Sequence, residues 1–281
     1  MAQTGDASAA APTTAPDAIE VVDGPLAWRE RGDGQPVVFL HGLGGTRWSW
    51  EPQLQALADR FRCLAWDLPG YGDSAPIAPL TYRAIADAVA RLLDAAEIDR
   101  ADLVGLSFGG MHALHTALHH PDRVGRLVLA DTSPAFGMDG TTADDWMRAR
   151  LAPLDEGLTP GDIAPAVLDA ITARPLTGTA RTETIAAFGR IPADGFRAAV
   201  RCLPTNDIRA DLPSLTHQAL VIVGEEDRET PPSYAKVLAD GLPNARLEIL
   251  PGVGHLSPTE APDRFNRLVA QFLTADRATT D

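Results

Sequence analysis

Gly-Leu-Ser-Phe-Gly at 105–109 sets Ser107 between two glycines, directly after the apolar run 101–106 and before a helical stretch over 110–119. A serine hydroxyl attacks a carbonyl only when the backbone presents it and a base takes its proton. Glycines two residues to either side suit a sharp strand-to-helix turn that lifts the Oγ above a sheet edge. The helix that follows would aim its N-terminal amides at the point where negative charge develops. The base required is a histidine on a loop near the end of the sheet. His255, in Pro-Gly-Val-Gly-His at 251–255, meets that need. An acid should orient its imidazole, and Asp227, in Gly-Glu-Glu-Asp at 224–227, follows an apolar run in the right place. Glu225, Glu226 and Asp131 are the alternatives to it. Two backbone amides are needed to bind an oxyanion: that of Phe108, next to the serine, and that of Leu43, in the glycine run His-Gly-Leu-Gly-Gly at 41–45.

The elements that must position these residues alternate along the chain. Short β-rich apolar runs at 37–40, 63–66, 103–106, 127–130, 220–223 and 247–250 read as buried strands. Helical spacing joins Tyr82, Ile85, Ala86, Val89, Leu92 and Leu93, and again Phe265, Leu268, Val269, Phe272 and Leu273. Residues 20–30 predict a lead-in antiparallel hairpin turning at Asp23-Gly24. After Asp131 the alternation stops, and 132–212 carries only helical patterns, one on Ile163, Val167, Leu168 and Ile171, another on Phe196, Ala199, Val200 and Leu203. The expected architecture is α/β: a mostly parallel, doubly wound sheet, with a helical cap inserted after the sixth strand. Its parts would be a flexible tail over 1–18, a core formed by 19–131 and 213–276, and a cap over 132–212. A cap in that place covers the carboxyl ends of the strands, where open α/β sheets bind ligands.

Taken together, these motifs resemble the α/β-hydrolase superfamily. The likeness runs from about Val21 to Leu273, through His41-Gly, Asp-Leu-Pro-Gly-Tyr-Gly-Asp-Ser at 67–74, the serine turn, Gly224-x-x-Asp227 and Gly254-His255, with Glu260 downstream. It implies a nucleophile, acid and base in the order Ser107, Asp227, His255. Within the family, Gly-Leu-Ser-Phe-Gly-Gly at 105–110 and Leu-Ala-Asp-Thr-Ser at 129–133 are similar to 3-oxoadipate enol-lactonases and related small esterases. Phe108 stands where methionine is frequent in that group. Dehalogenases and epoxide hydrolases of the family use an aspartate where Ser107 stands. Carbon–carbon hydrolases often carry Asn and Trp where this chain has Leu106 and Leu256.

The resemblance thus implies hydrolysis of a carboxylic ester or lactone through an acyl-enzyme, without metal or organic cofactor. A lyase or carbon–carbon hydrolase on the same residues, or a ligand-binding receptor with little turnover, are the rival readings. Trp48, Phe136 and Trp146 are candidates to line the substrate pocket, and a cap arginine such as Arg148, Arg150, Arg190 or Arg197 could hold a substrate carboxylate. His112, His115, His119 and His120 cluster after the serine turn, but without the Glu of His-Glu-x-x-His or an evident third ligand they read as helix packing or surface residues.

Composition sets the outer limits. The chain has 281 residues, 45% hydrophobic and 22% charged, within the ordinary range for a globular protein. A formal net charge of −14 and a single lysine, Lys236, exclude the basic footprint that nucleic acid requires. No signal-peptide pattern or membrane-spanning stretch is evident, so the expectation is a cytoplasmic protein acting on a small molecule. Cys63 and Cys202 fall in different predicted elements and suggest no disulfide. Oligomeric state leaves no mark on the sequence.

Overall fold

The computed structural model describes residues 17–275. Strands are β1 (Ile19–Asp23), β2 (Leu26–Arg31), β3 (Gln35–Leu40), β4 (Phe61–Trp66), β5 (Ala101–Leu106), β6 (Val124–Ala130), β7 (Ala219–Gly224) and β8 (Ala245–Leu250). Helices are α1 (Glu51–Leu57), α2 (Tyr82–Ala95), α3 (Phe108–His119), α4 (Ala143–Asp155), α5 (Pro160–Ile171), α6 (Gly178–Gly189), α7 (Ala193–Cys202), α8 (Pro232–Gly241), α9 (Ser257–Glu260) and α10 (Pro262–Thr274). The strands form one sheet in the order β1-β2-β4-β3-β5-β6-β7-β8. β2 runs antiparallel to β1 and β4, and the rest is parallel. This is the expected doubly wound sheet, with the lead-in hairpin turning at Gly24, whose φ of +55° suits glycine. All but the last two residues of the tail expected over 1–18 lie outside the described residues.

Alternation along β3 shows how the two layers arise. Val38 and Leu40 pack with Ile85, Val89 and Leu114 of α2 and α3, whereas Val37 and Phe39 pack with Leu54, Phe265 and Val269 of α1 and α10. Both faces are apolar because helices cover both. β6 begins earlier than the apolar run at 127–130 suggests, since it takes in the buried Arg126, and β5 holds a buried polar residue of its own. Asp102 accepts hydrogen bonds from the Arg126 amide and Gln35 Nε2, both at 2.6 Å, and the paired polar groups sit inside the sheet.

Between β6 and β7 the chain makes α4 to α7 and no strand of the sheet. Leu154, Ala164, Phe188, Phe196 and Val200 from these helices join the same buried cluster as Val38 and Leu129 of the sheet. Their apolar packing is therefore continuous with the sheet's, and the helices stand over the strand ends that carry the candidate site. Cys63 and Cys202 are free, buried thiols. Among the described residues no helix is long and apolar enough to cross a membrane.

Candidate active site

Ser107 occupies the one-residue turn between β5 and α3, with φ +53° and ψ −118°. A non-glycine residue adopts that conformation only when its surroundings impose it. Here they do: the Ser107 amide donates to Ala130 O at 2.8 Å, and its carbonyl accepts from Gly110 N at 2.9 Å and Thr132 Oγ1 at 2.7 Å. The flanking glycines are steric requirements. A Cβ on Gly105 would stand 2.3 Å from Gly109 O, and one on Gly109 would stand 2.0 Å from Leu40 O.

His255 lies on the loop between β8 and α9, and its Nε2 is 2.9 Å from Ser107 Oγ. Its Nδ1 is 2.9 Å from Asp227 Oδ2. Asp227, in the turn after β7, is held by three donors: Glu229 N at 2.9 Å and Thr230 N at 3.0 Å to Oδ1, and Thr230 Oγ1 at 2.9 Å to Oδ2. A carboxylate fixed in this way accepts the Nδ1 proton and leaves Nε2 bare toward the serine. Burial alone would lower the His255 pKa. The charge and hydrogen bond of Asp227, with Asp131 and Glu229 nearby, outweigh burial and hold it above the ordinary histidine value of 6.5.

The other acids take other places. Glu225 and Glu226 are exposed, and Glu225 accepts from Gly252 N at 3.2 Å. Asp131 is fully buried at φ +45°, with one oxygen accepting from Gly224 N at 3.0 Å and the other from Ser257 N at 2.9 Å. It ties the strand before Asp227 to the loop after His255. Burial, and then the charge of Asp227, push its carboxyl well above the usual range.

The glycine loop 41–45 runs beside the serine, where a Cβ on Gly42 would lie 3.3 Å from Ser107 Cβ. His41 anchors that loop. Leu68 N donates to its Nε2 at 3.0 Å, so its Nδ1 carries the proton given to Gly42 O at 2.8 Å. Tyr71 Oη donates to Leu43 O at 2.9 Å. The amides of Leu43 and Phe108 donate to no group among the described residues. Both remain available to a negative oxygen above Ser107, at the positive end of α3.

A cavity of about 560 Å³ opens over Ser107 and His255. Of the aromatic candidates, Trp146 lines it. Phe136 instead packs edge-on behind Trp146, ring centroids 5.5 Å apart. Trp48 points away, stacked under the guanidinium groups of Arg29 at 4.0 Å and Arg190 at 4.7 Å. Residues 47–50 form one 3-10 turn, whose period of three buries Arg47 and Trp50 and sets Trp50 against Phe39 and the cavity floor. Sequence reasoning missed Thr230, which orients the acid, and Pro-Pro after it gave no signal. It also missed what Glu260 does: the carboxylate accepts from Gly254 N, Leu256 N and Ala173 N, all within 3.0 Å, and so clamps the histidine loop to the end of α5.

The histidines of α3 hold no metal-like group. His112 is fully buried against Phe108, Trp66 and Tyr82, His115 stacks on Tyr82 and bonds Asn206 Oδ1 at 3.0 Å, and His120 bonds Asp87 at 2.7 Å. No set of three or more metal-ligating side chains occurs among the described residues. The arginines are paired as well: Arg148 with Asp145, Arg150 with Glu229 and Arg197 with Asp155.

Known proteins share this fold. Residues 37–268 match the model of the alpha/beta hydrolase family. The chain is 34% identical to the protein named "Putative carbamate hydrolase RutD" of Caulobacter sp. (strain K31), covering 92% of this chain and 96% of that one. It is 33% identical to the 2-hydroxymuconate semialdehyde hydrolase of Pseudomonas sp. (strain CF600), covering 89% and 90%. Among solved structures, the enol-lactonase from Burkholderia xenovorans LB400 superposes with a TM-score of 0.79 at 27% identity, covering 91% of this chain and all of that one.

Proposed function

The chain belongs to the alpha/beta hydrolase family, and on that premise we propose that it hydrolyses a carboxylic ester or lactone through an acyl-enzyme on Ser107. The observation that carries this reading is the hydrogen-bonded series Ser107 Oγ, His255, Asp227 at the floor of an apolar cavity, beside two amides with no internal acceptor. His255 Nε2 takes the Ser107 proton as Oγ bonds to the carbonyl carbon. The carbonyl oxygen becomes an oxyanion facing the Leu43 and Phe108 amides, each such donor worth about 2.7–4 kcal/mol. The C–O bond to the leaving alcohol then breaks, and the imidazolium returns the proton to that oxygen. Water, deprotonated by the same histidine, attacks the acyl-enzyme and releases the acid and free Ser107. Asp227 keeps the tautomer and stabilises the imidazolium. None of these steps draws on a metal or organic cofactor.

A fluorophosphonate should label Ser107, and Ser107→Ala should lower kcat by about 10⁶-fold on a panel of esters and lactones. Undiminished turnover by that variant would remove the serine from the mechanism. A second reading, carbon–carbon bond hydrolysis on the same three residues, draws support from the 33% identity to the semialdehyde hydrolase. Turnover of a ring-cleavage dienone faster than any ester would favour it.

A further inference from the structure

The walls of the cavity carry more information than its floor. In α5, Ala164 is buried in the core, while Ile163, Ala166, Val167 and Leu168 line the cavity. Across from them, Trp146, Ala149 and Pro153 of α4 present one face at helical spacing. Ile163, Val167 and Trp146 are half-buried against the core and show their remaining apolar surface to the cavity. At its rim, Leu158 is 44% exposed. Apolar groups gathered around an open concave site are the mark of a hydrocarbon ligand.

Charge on the walls points the same way. Besides His255, the ionisable side chains lining the cavity are Arg150, Asp162 and Glu229. Arg150 Nη2 is 3.0 Å from Glu229 Oε2, and its guanidinium sits 5.3 Å from the centre of the Trp146 ring. Asp162 caps α5, accepting from Thr159 N at 2.8 Å and Thr159 Oγ1 at 2.6 Å. The lining thus carries one guanidinium against two carboxylates, with Asp227 behind the histidine. A substrate carboxylate entering here would meet like charge and find the Arg150 guanidinium already paired.

We propose that the substrate of this site is an ester or lactone bearing an uncharged alkyl chain, and that the Arg150–Glu229 pair turns away chains ending in a carboxylate. The inference rests on Ser107 as the nucleophile only for where the carbonyl sits; the chain's environment is independent of the chemistry. It separates this chain from any enol-lactonase whose substrate carries an acid group.

The test compares para-nitrophenyl butyrate, hexanoate and octanoate with the mono-para-nitrophenyl ester of suberic acid, which matches octanoate in length but ends in a carboxylate. Turnover is measured on the wild-type protein, and dissociation constants of the same four esters on Ser107→Ala by calorimetry. Binding and kcat/KM should improve by about fourfold per added methylene. The suberate half-ester should be about a hundredfold worse than octanoate. Glu229→Gln, which frees Arg150, should narrow that gap about threefold. A flat length series, or a half-ester bound as well as octanoate by Ser107→Ala, overturns the alkyl assignment. A gap unchanged in Glu229→Gln overturns the part given to the ion pair. The expected binding order without wild-type turnover upholds the alkyl site and refutes ester hydrolysis as the reaction.

Discussion

Two buried carboxylates stand close to one imidazole, and their hydrogen bonds assign them different work. Asp227 accepts a hydrogen bond from the histidine Nδ1–H; Asp131 accepts only from backbone amides, of Gly224 and Ser257. Asp227→Asn would present the wrong tautomer and should cost about 10⁴-fold in kcat. Asp131→Asn turns an amide NH₂ toward a backbone N–H and should cost about 1–3 kcal/mol of stability, seen as a lower Tm, with the smaller kinetic loss. The reverse order of kinetic losses would transfer the acid to Asp131. Because Asp227 raises the His255 pKa and the base acts only when neutral, kcat/KM should climb with pH through an inflection above 6.5. In Asp227→Asn the residual activity should show that inflection shifted down, and a pH–rate profile of both proteins checks it.

Helix α3 illustrates how an element can serve a site from its first residue and still carry a liability further on. Its start was legible in Gly-x-Ser-x-Gly, because the steric demand of the turn excludes any Cβ at Gly105 and Gly109. His112, one turn on, was legible only as a packing residue. Both its ring nitrogens are buried without a partner among the described residues, and burial, then His41 and His115, hold its pKa well below 6.5. The unfolded chain therefore binds a proton that the folded chain refuses, so this group's contribution is intact above pH 6.5 and lost as pH falls below it. The slope is about 1.4 kcal/mol per pH unit. His112→Leu should match or exceed the wild-type Tm at neutral pH and hold it further into acid, which a pair of Tm-against-pH curves decides. The polar groups inside β5 and β6 were hidden for a related reason. Apolar periodicity is blind to Asp102, whose charge is satisfied by partners distant in sequence. Trp48 was misread because two aromatic residues in one short turn leave the inward one unspecified until the backbone is known.

At the scale of the molecule, the mostly parallel sheet, the helical insertion and the trio Ser107, Asp227 and His255 could be read from sequence, since each rests on local pattern and chain order. The cavity could not, because its walls are set by how α4 and α5 face one another. Net charge of −14 acts at this scale too. Anionic substrates approach against the field, so kcat/KM for the suberate half-ester should rise as salt shortens the Debye length from about 10 Å at 0.1 M, while that for octanoate stays level. A kinetic series in sodium chloride separates the two. One contact links the roof to the chemistry beneath it. The His255 amide donates to Ile171 O in the last turn of α5 at 2.9 Å, and Glu260, at the end of α9, accepts from Ala173 N. These bonds tether the cap to the base, so displacing the end of α5 would strain the placement of the imidazole beside Ser107.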